Sequence, residues 1–492
     1  MLIELIILVT LIVTLRKVFF KSRAEKLYAK IPGPRPYPII GNMFHFNYPK
    51  EEPTDTLRKL SYKYGPVYLL RLGRETIVCV RDPGDVEVVL SNYKLINKPD
   101  SYKVFHPWVN QGLFTSSGED WRKQRKLLTP AFHVSVLQSF IPSFERCAVL
   151  LIDNLSKMAG KDFDVSQPLA RCSLDIICET AMGLETNVQT EKKSTILDSI
   201  DELTEIMTHR SFSLLQSSFL FPLLKIGRRH DRLVDYLHGV TEGMIKKRRE
   251  KVLATSEGLK NADIDIGIKQ KKPFLDLVLE YSMNGAGMTD LEIRQQVDTF
   301  MVAGYDTSQT AMSFTLYCLS HHPAIQERVY QEIVHIFGDS DRDATYQDLQ
   351  EMKYLENVIK ESMRVYPVSR FIARVCCEDI TLKSGYVIPE NSIVVVLTEA
   401  MYHDPAVNPD PHTFNPDRFE KSISLYTYLH FGAGPRNCVG QKFAMLEMKS
   451  VLSRVIRTFR ILPSDIPLDL KHYIVLKSST GVNIRIEPRH RV

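Results

Sequence analysis

The chain has 492 residues, of which 44% are hydrophobic and 25% charged, the balance of an ordinary globular protein with room for a large buried core. A formal net charge of +5 is small for that length, and no Lys/Arg run interleaved with aromatics occurs, which argues against a nucleic-acid binder. Eight scattered cysteines with no C-x-x-C pair argue against zinc ribbons, thioredoxin-type motifs, cysteine-held iron–sulfur clusters and a disulfide framework.

At the N-terminus, MLIELIILVTLIVTL (1–15) is apolar except for Glu4, and Arg16 and Lys17 follow it. Positive charge after the apolar run, with no small-residue cleavage site, predicts a retained membrane anchor over residues 1–20 rather than a signal peptide. It is short for a span, so Arg16 and Lys17 would have to snorkel. The same flank predicts that the rest of the chain is cytosolic. A buried N-terminal helix is the alternative. Residues 21–38 read as a basic linker ending in a proline-rich hinge, IPGPRPYP (31–38), whose four prolines forbid a helix.

From residue 39 to 492 the pattern is one catalytic-sized body. Apolar residues at three- and four-residue spacing predict helices near 54–65, from 120 onward, and over 134–157, 168–184, 195–208, 230–252, 273–283 and 289–320. The polar stretch 253–272 predicts a surface loop. Short strand-like runs, VYLLRLG, TIVCV, YVIP, SIVVVLT and NIRIEP, cluster near residue 70 and after residue 380. The fold class is therefore mainly α with small β-sheets, without a regular βαβ alternation. GAGPRN (432–437) is not a dinucleotide fingerprint, because Asn437 replaces the third glycine and Pro435 intrudes, so nicotinamide or flavin binding is not expected.

The segment FGAGPRNCVG (431–440) raises the chemical question. Cys438 stands before a strongly amphipathic helix, whose N-terminus predicts a lowered thiol pKa. Gly440 and its neighbours can aim N–H groups at the sulfur, Gly432 and Gly434 let the backbone lie close to something flat, and Arg436 suits a carboxylate. These features fit an axial sulfur on haem iron with an arginine on a propionate. They fit equally an inert buried cysteine at a helix start.

FGAGPRNCVG resembles the haem-ligand loop of cytochrome P-450, the haem-thiolate monooxygenases, with F-x-x-G-x-R-x-C-x-G filled by Phe431, Gly434, Arg436, Cys438 and Gly440. The resemblance implies a haem held between a long distal helix and the proximal cysteine-loop helix, with Cys438 as axial ligand and Phe431 tuning it. It implies a structural network in which Arg418, from FNPDRF (414–419), joins Glu361 and Arg364 of ESMR. It places haem propionates on Trp121 and Arg125 of WRKQR and on Arg374. In AGYDT (303–307), a mid-helix glycine wants a reason. Gly304 either packs against another helix or, by the resemblance, opens a groove for dioxygen; Thr307 then holds the activated oxygen or a water, and Asp306 helps relay protons.

WRKQRKLLTPAFH, LDIICETAMG and GPRNCVGQKFAMLEMKSVL resemble the family-four clan, including insect members. Relatives that bind haem covalently carry a glutamate where this chain has Ala303, so haem b (iron protoporphyrin IX) is expected without that link. Phe300, Met301, Ala303 and Arg370 are candidate substrate contacts in a largely apolar pocket, Arg370 facing either the pocket or solvent. The implied partners are an NADPH-dependent flavoprotein reductase, membrane lipid and a lipophilic small molecule such as a fatty acid, a hormone-like lipid or a xenobiotic. Arg122, Lys126 and Lys442 are candidates for the reductase-facing patch. The implied location is the endoplasmic reticulum membrane. An isomerase or dehydratase on this fold would lack the acid–threonine pair. A non-catalytic haem sensor or hydrophobic-ligand carrier is the alternative from another class.

Overall fold

Runs of β-branched and apolar residues build the sheet of the first of two compact units, formed by the described parts of 1–99, 371–401 and 433–436. The structure is a computed structural model that describes residues 22–46, 50–73, 75–211, 220–260, 272–283, 288–421 and 423–489. Val67–Leu72 pairs antiparallel with Glu75–Val80, with Val67 opposite Val80. Glu75–Val80 runs parallel to Ile393–Val396, which pairs antiparallel with Ile372–Val375 on its other side. All four residues of Ile393–Val396 are buried, as suits a strand with neighbours on both sides and no solvent face. Helix Pro83–Ser91 follows the second strand, its N-terminus capped by Asp82, which accepts from the Gly84 and Asp85 amides.

The expected linker is part of this unit. Helix Arg23–Tyr28 docks through the Tyr28 hydroxyl on Ser392 Oγ at 2.7 Å and through Glu25 on Arg71 at 2.6 Å. The proline segment is extended, as its prolines require, and Pro32 O accepts from the Leu69 amide at 2.8 Å. A Cβ at Gly33 would stand 2.3 Å from Leu69 O, so only glycine fits there. The hinge is thus laid along a strand and not a free spacer. The expected anchor, residues 1–20, lies outside the described residues; among those described, no helix is long and apolar enough to cross a membrane.

The second unit comprises the described parts of 100–370, 402–432 and 437–492, and is mostly helical. Six of its helices carry the argument below: α1 (Gly118–Leu128), α2 (Ser166–Thr180), α3 (Thr195–Ser211), α4 (Asp290–His321), α5 (Lys353–Val365) and α6 (Gln441–Thr458). Thr289 and Glu292 close a reciprocal capping box at the start of α4, which holds that helix in register from its first turn. The helix expected over 134–157 is two, Val134–Ser139 and Ile141–Ser156, because Pro142 has no amide to continue the first. The loop expected from 253 begins later, since helix Lys225–Lys260 runs through its first residues; 261–271 lie outside the described residues. Strand Phe459–Pro463 follows α6 without a break signal and pairs with Asn483–Pro488, which also pairs with Asp162–Asp164. Strands Leu470–His472 and Leu476–Ser478 form a separate hairpin.

Candidate active site

Cys438 lies three residues before α6, whose N-cap is Gly440. Its own amide donates to Phe431 O at 2.7 Å, which closes the loop and sets the cysteine against Phe431. The side chain is accessible to solvent, yet burial is the largest influence on its thiol. The sulfur is thus open on one side and crowded by protein on the others. Burial pushes the thiol above its ordinary pKa, while the Gly440 amide and the Arg125 guanidinium pull the other way without prevailing. The lowered pKa expected from the helix start therefore does not hold in the free protein, because desolvation outweighs the dipole. Arg125 donates from Nη1 to Asn437 O and from Nη2 to Asn437 Oδ1, both at 2.8 Å, and so ties α1 to the residue before the cysteine. Trp121, one turn earlier on α1, is buried.

Helix α4 is buried along most of its length, but Ala303 is exposed and Gly304 and Thr307 are half-buried. This leaves an uncovered stripe in the middle of a core helix. The Thr307 hydroxyl donates to Ala303 O at 2.7 Å within that stripe. One turn earlier, Phe300 stacks on Phe132 (centroids 5.5 Å apart) and packs on Phe274 (4.5 Å). A Cβ on Gly440 would be 3.9 Å from both Phe132 and Cys438 Sγ, so Phe132 bridges the cysteine loop to α4. Met301 is completely buried and Ala303 is open, which separates these two expected pocket residues. A Cβ at Gly304 would sit 2.6 Å from Ile177 of α2, so the packing explanation for this glycine is present in the structure. Asp306 is buried, and its Oδ1 accepts from Gln309 Nε2 at 3.1 Å and faces Lys477 Nζ at 3.2 Å.

Sequence reasoning missed Glu447. It is buried on α6, accepts from the Ser173 hydroxyl of α2, and is hydrogen-bonded by Ser308 of α4. Burial pushes its carboxyl up to about 8, above what the two hydroxyls offset. A glutamate inside an amphipathic run gives no sequence signal that it will be buried.

In the first unit, Arg436 donates to Ile96 O, and Arg374 is buried on strand Ile372–Val375. Both lie close enough to Lys98 that, after burial, they are the charges holding its ammonium well below its ordinary pKa. Three basic groups gathered at one place suit an anionic group, which would favour the charged form of Lys98, and Lys98, within NKPDSY, carries no motif that would have marked it. Gly434 has φ +70°, and a Cβ there would stand 1.8 Å from Leu90 O. The close approach that the structure shows for this glycine is to the backbone of Leu90.

Glu361 and Arg364 of α5 pair through two bonds of 2.7 and 2.9 Å, and Arg418 Nε reaches Glu361 Oε1 at 3.2 Å. Arg364 also donates to the carbonyls of Tyr402, Pro411 and Thr413. Arg370 is buried, so of its two expected placements the solvent-facing one is excluded. It lies near His472, whose imidazole is pushed down to about 3, first by burial and then by that arginine. Arg122 pairs with Glu119, while Lys126 and Lys442 are exposed.

Within the second unit, a sulfur and an uncovered helix stripe joined by one aromatic side chain suit a flat metal-bearing group; within the first, the basic cluster suits an anion. Haem is such a group, and the residues present fit it. The family model Cytochrome P450 matches residues 31–482. Cytochrome P450 4c21 of Blattella germanica is 39% identical over 466 residues, covering 92% of this chain and 92% of its own. Cytochrome P450 4d2 of Drosophila melanogaster is 36% identical over 93% of this chain and 94% of its own, and cytochrome P450 4g15 of the same species is 34% identical over 95% and 94%. With family-four insect relatives along almost its whole length and a site that suits haem with a cysteine thiolate, this chain belongs to the cytochrome P450 family of monooxygenases.

Proposed function

We propose that the protein inserts one atom of dioxygen into a lipophilic small molecule, with electrons from an NADPH-dependent flavoprotein reductase. The reading is carried by one observation: beside the exposed Cys438, Phe132 stacks on Phe300 of α4, one turn before the uncovered stripe of that helix. Bound haem b would supply dioxygen activation, with the thiolate donating electron density from the proximal side. The remaining work belongs to the chain. Cys438 would hold the iron as its thiolate, a charge that the Gly440 amide and Arg125 favour. Trp121 and Arg125, and separately Arg374, Arg436 and Lys98, are proposed to hold the propionates. Phe431 receives the Cys438 amide and fixes the direction of the sulfur. Thr307 and Asp306 hold and move protons on the distal side, and Phe300 and Ala303 face the substrate. Ala303 has no carboxyl, so the haem is retained without an ester at that position.

The proposed setting is the cytosolic face of the endoplasmic reticulum membrane, with residues 1–20 as anchor and Arg122, Lys126 and Lys442 toward the reductase. The sensor or carrier alternative gains no support from the site, since a carrier has no need of Asp306 and Thr307. The test is the absorption spectrum of the reduced protein under carbon monoxide. The red-shifted band of a thiolate-bound ferrous haem is expected, and Cys438→His should move it to the ordinary position. A wild-type band at the ordinary position would defeat the reading.

A further inference from the structure

Lys477, on strand Leu476–Ser478, reaches two carboxylates at once. Its Nζ is 2.6 Å from Asp201 Oδ1 of α3 and 3.2 Å from Asp306 Oδ1 of α4. The three differ in access: Asp306 is 2% exposed, Lys477 21% and Asp201 48%, so they form a graded path from solvent to the buried acid. Asp306 Oδ1 is already engaged by Gln309, while its Oδ2 has no hydrogen-bond partner among the described residues. The neighbouring Tyr305 hydroxyl is buried and likewise lacks one. Burial alone would lower the Lys477 pKa, but the two carboxylates outweigh it and hold the ammonium above its ordinary value.

We propose that Lys477 and Asp201 are positioning residues that govern proton delivery through Asp306. One ammonium serves two acids. Held on Asp306, it fixes that carboxylate; drawn toward Asp201, it releases Asp306 to take a proton from water and pass it toward Thr307, the next residue on α4. The inference rests on the distal-proton role proposed above for Asp306.

The chemistry gives a readout that needs no organic substrate. Dioxygen with two electrons and two protons gives hydrogen peroxide and uses one NADPH. With four electrons and four protons it gives two waters and uses two NADPH. Proton supply to the distal oxygen favours the second outcome. With a flavoprotein reductase and NADPH, Lys477→Met should lower NADPH consumed per dioxygen toward one and raise peroxide, since a buried acid stripped of its cation stays neutral and no longer cycles. Asp201→Asn should act in the same direction by leaving the ammonium to Asp306 alone, and Lys477→Arg should restore the ratio. A second readout involves no turnover. Acylation of Lys477 by acetic anhydride at pH 9, followed by mass spectrometry, should be about tenfold faster in Asp201→Asn, because the cation has lost a stabilising charge. Each variant must first show the thiolate carbon monoxide band, which excludes misfolding. If Asp306→Asn leaves the NADPH ratio unchanged, the distal-proton reading fails. If Asp306→Asn lowers it but Lys477→Met and Asp201→Asn do not, this proposal alone is overturned.

Discussion

At Cys438, burial and electrostatics act against each other, and burial prevails while the thiol is free. A neutral thiol must lose its proton to bind a metal, so loading of the site with ferric haem should release one proton and tighten as pH rises toward the thiol pKa. Arg125 acts on both sides of that step, since it stabilises the thiolate charge and holds Asn437 through two bonds. Removing a half-buried charged donor of this kind costs on the order of 1.5–3 kcal/mol. Arg125→Ala should therefore lower haem occupancy, most strongly at low pH, and Arg125→Lys should recover only part of it because one ammonium cannot replace the two-pronged contact. Absorbance titration of apoprotein with haem across pH checks both. Ala303 gives a cleaner residue-scale outcome. Acidified butanone should extract all haem from the wild type, whereas Ala303→Glu, which restores the glutamate of covalently linked relatives, should retain a fraction.

Two contacts decide how the helices around the site fit. Gly304 meets Ile177 across α4 and α2 at a distance no side chain tolerates unless Ile177 gives way. Gly304→Val should destabilise the protein by about 1–3 kcal/mol through overpacking. Ile177→Ala in the same chain should recover much of that loss, and a double-mutant cycle of thermal midpoints measures the coupling. The second contact is Glu447, which joins α6 to α2 and α4 as a neutral carboxyl. Its pKa of about 8 when folded exceeds the ordinary carboxylate value, so the folded chain binds the extra proton. The stability it gives is complete below the unfolded pKa of about 4.3 and is lost as pH rises to the folded pKa. The slope is at most about 1.4 kcal/mol per pH unit over that window. Glu447→Gln should flatten the fall in melting temperature between pH 5 and 8, and an unchanged slope would show that Glu447 does not hold the proton.

Across the whole chain, legibility followed the physics of each signal. Helices with long apolar stripes, such as α4, and strands as apolar as Ile393–Val396 were readable because one segment holds the whole pattern. The cysteine loop left two chemical readings open and became readable only through a family resemblance carried by ten consecutive residues. Lys98, Glu447, Lys477 and Asp201 were not, since each gains its meaning from partners distant in sequence, and a lone charged residue reads as solvated surface. The packing of Gly434 was illegible for the same reason: its neighbour, Leu90, is more than three hundred residues away.

The Glu361 network shows what such distant pairing does for the molecule. Glu361 is fully buried and Arg364 nearly so, and Arg364 gathers three carbonyls of the segment that leads to Phe431 and Cys438. Breaking a buried pair by removing one partner costs about 3–5 kcal/mol, because the other charge stays behind. Glu361→Ala strands two arginines, whereas Arg418→Ala removes the more exposed member and leaves the inner pair intact. Glu361→Ala should therefore accumulate without haem, and Arg418→Ala should keep haem with a lowered melting temperature. Replacing both Glu361 and Arg364 by apolar residues of similar size leaves no stranded charge between them, yet it gives up the three carbonyl contacts. If that double variant loads haem fully, the network's role is charge neutralisation alone. If it stays haem-free, the carbonyl contacts are what holds the cysteine loop in register.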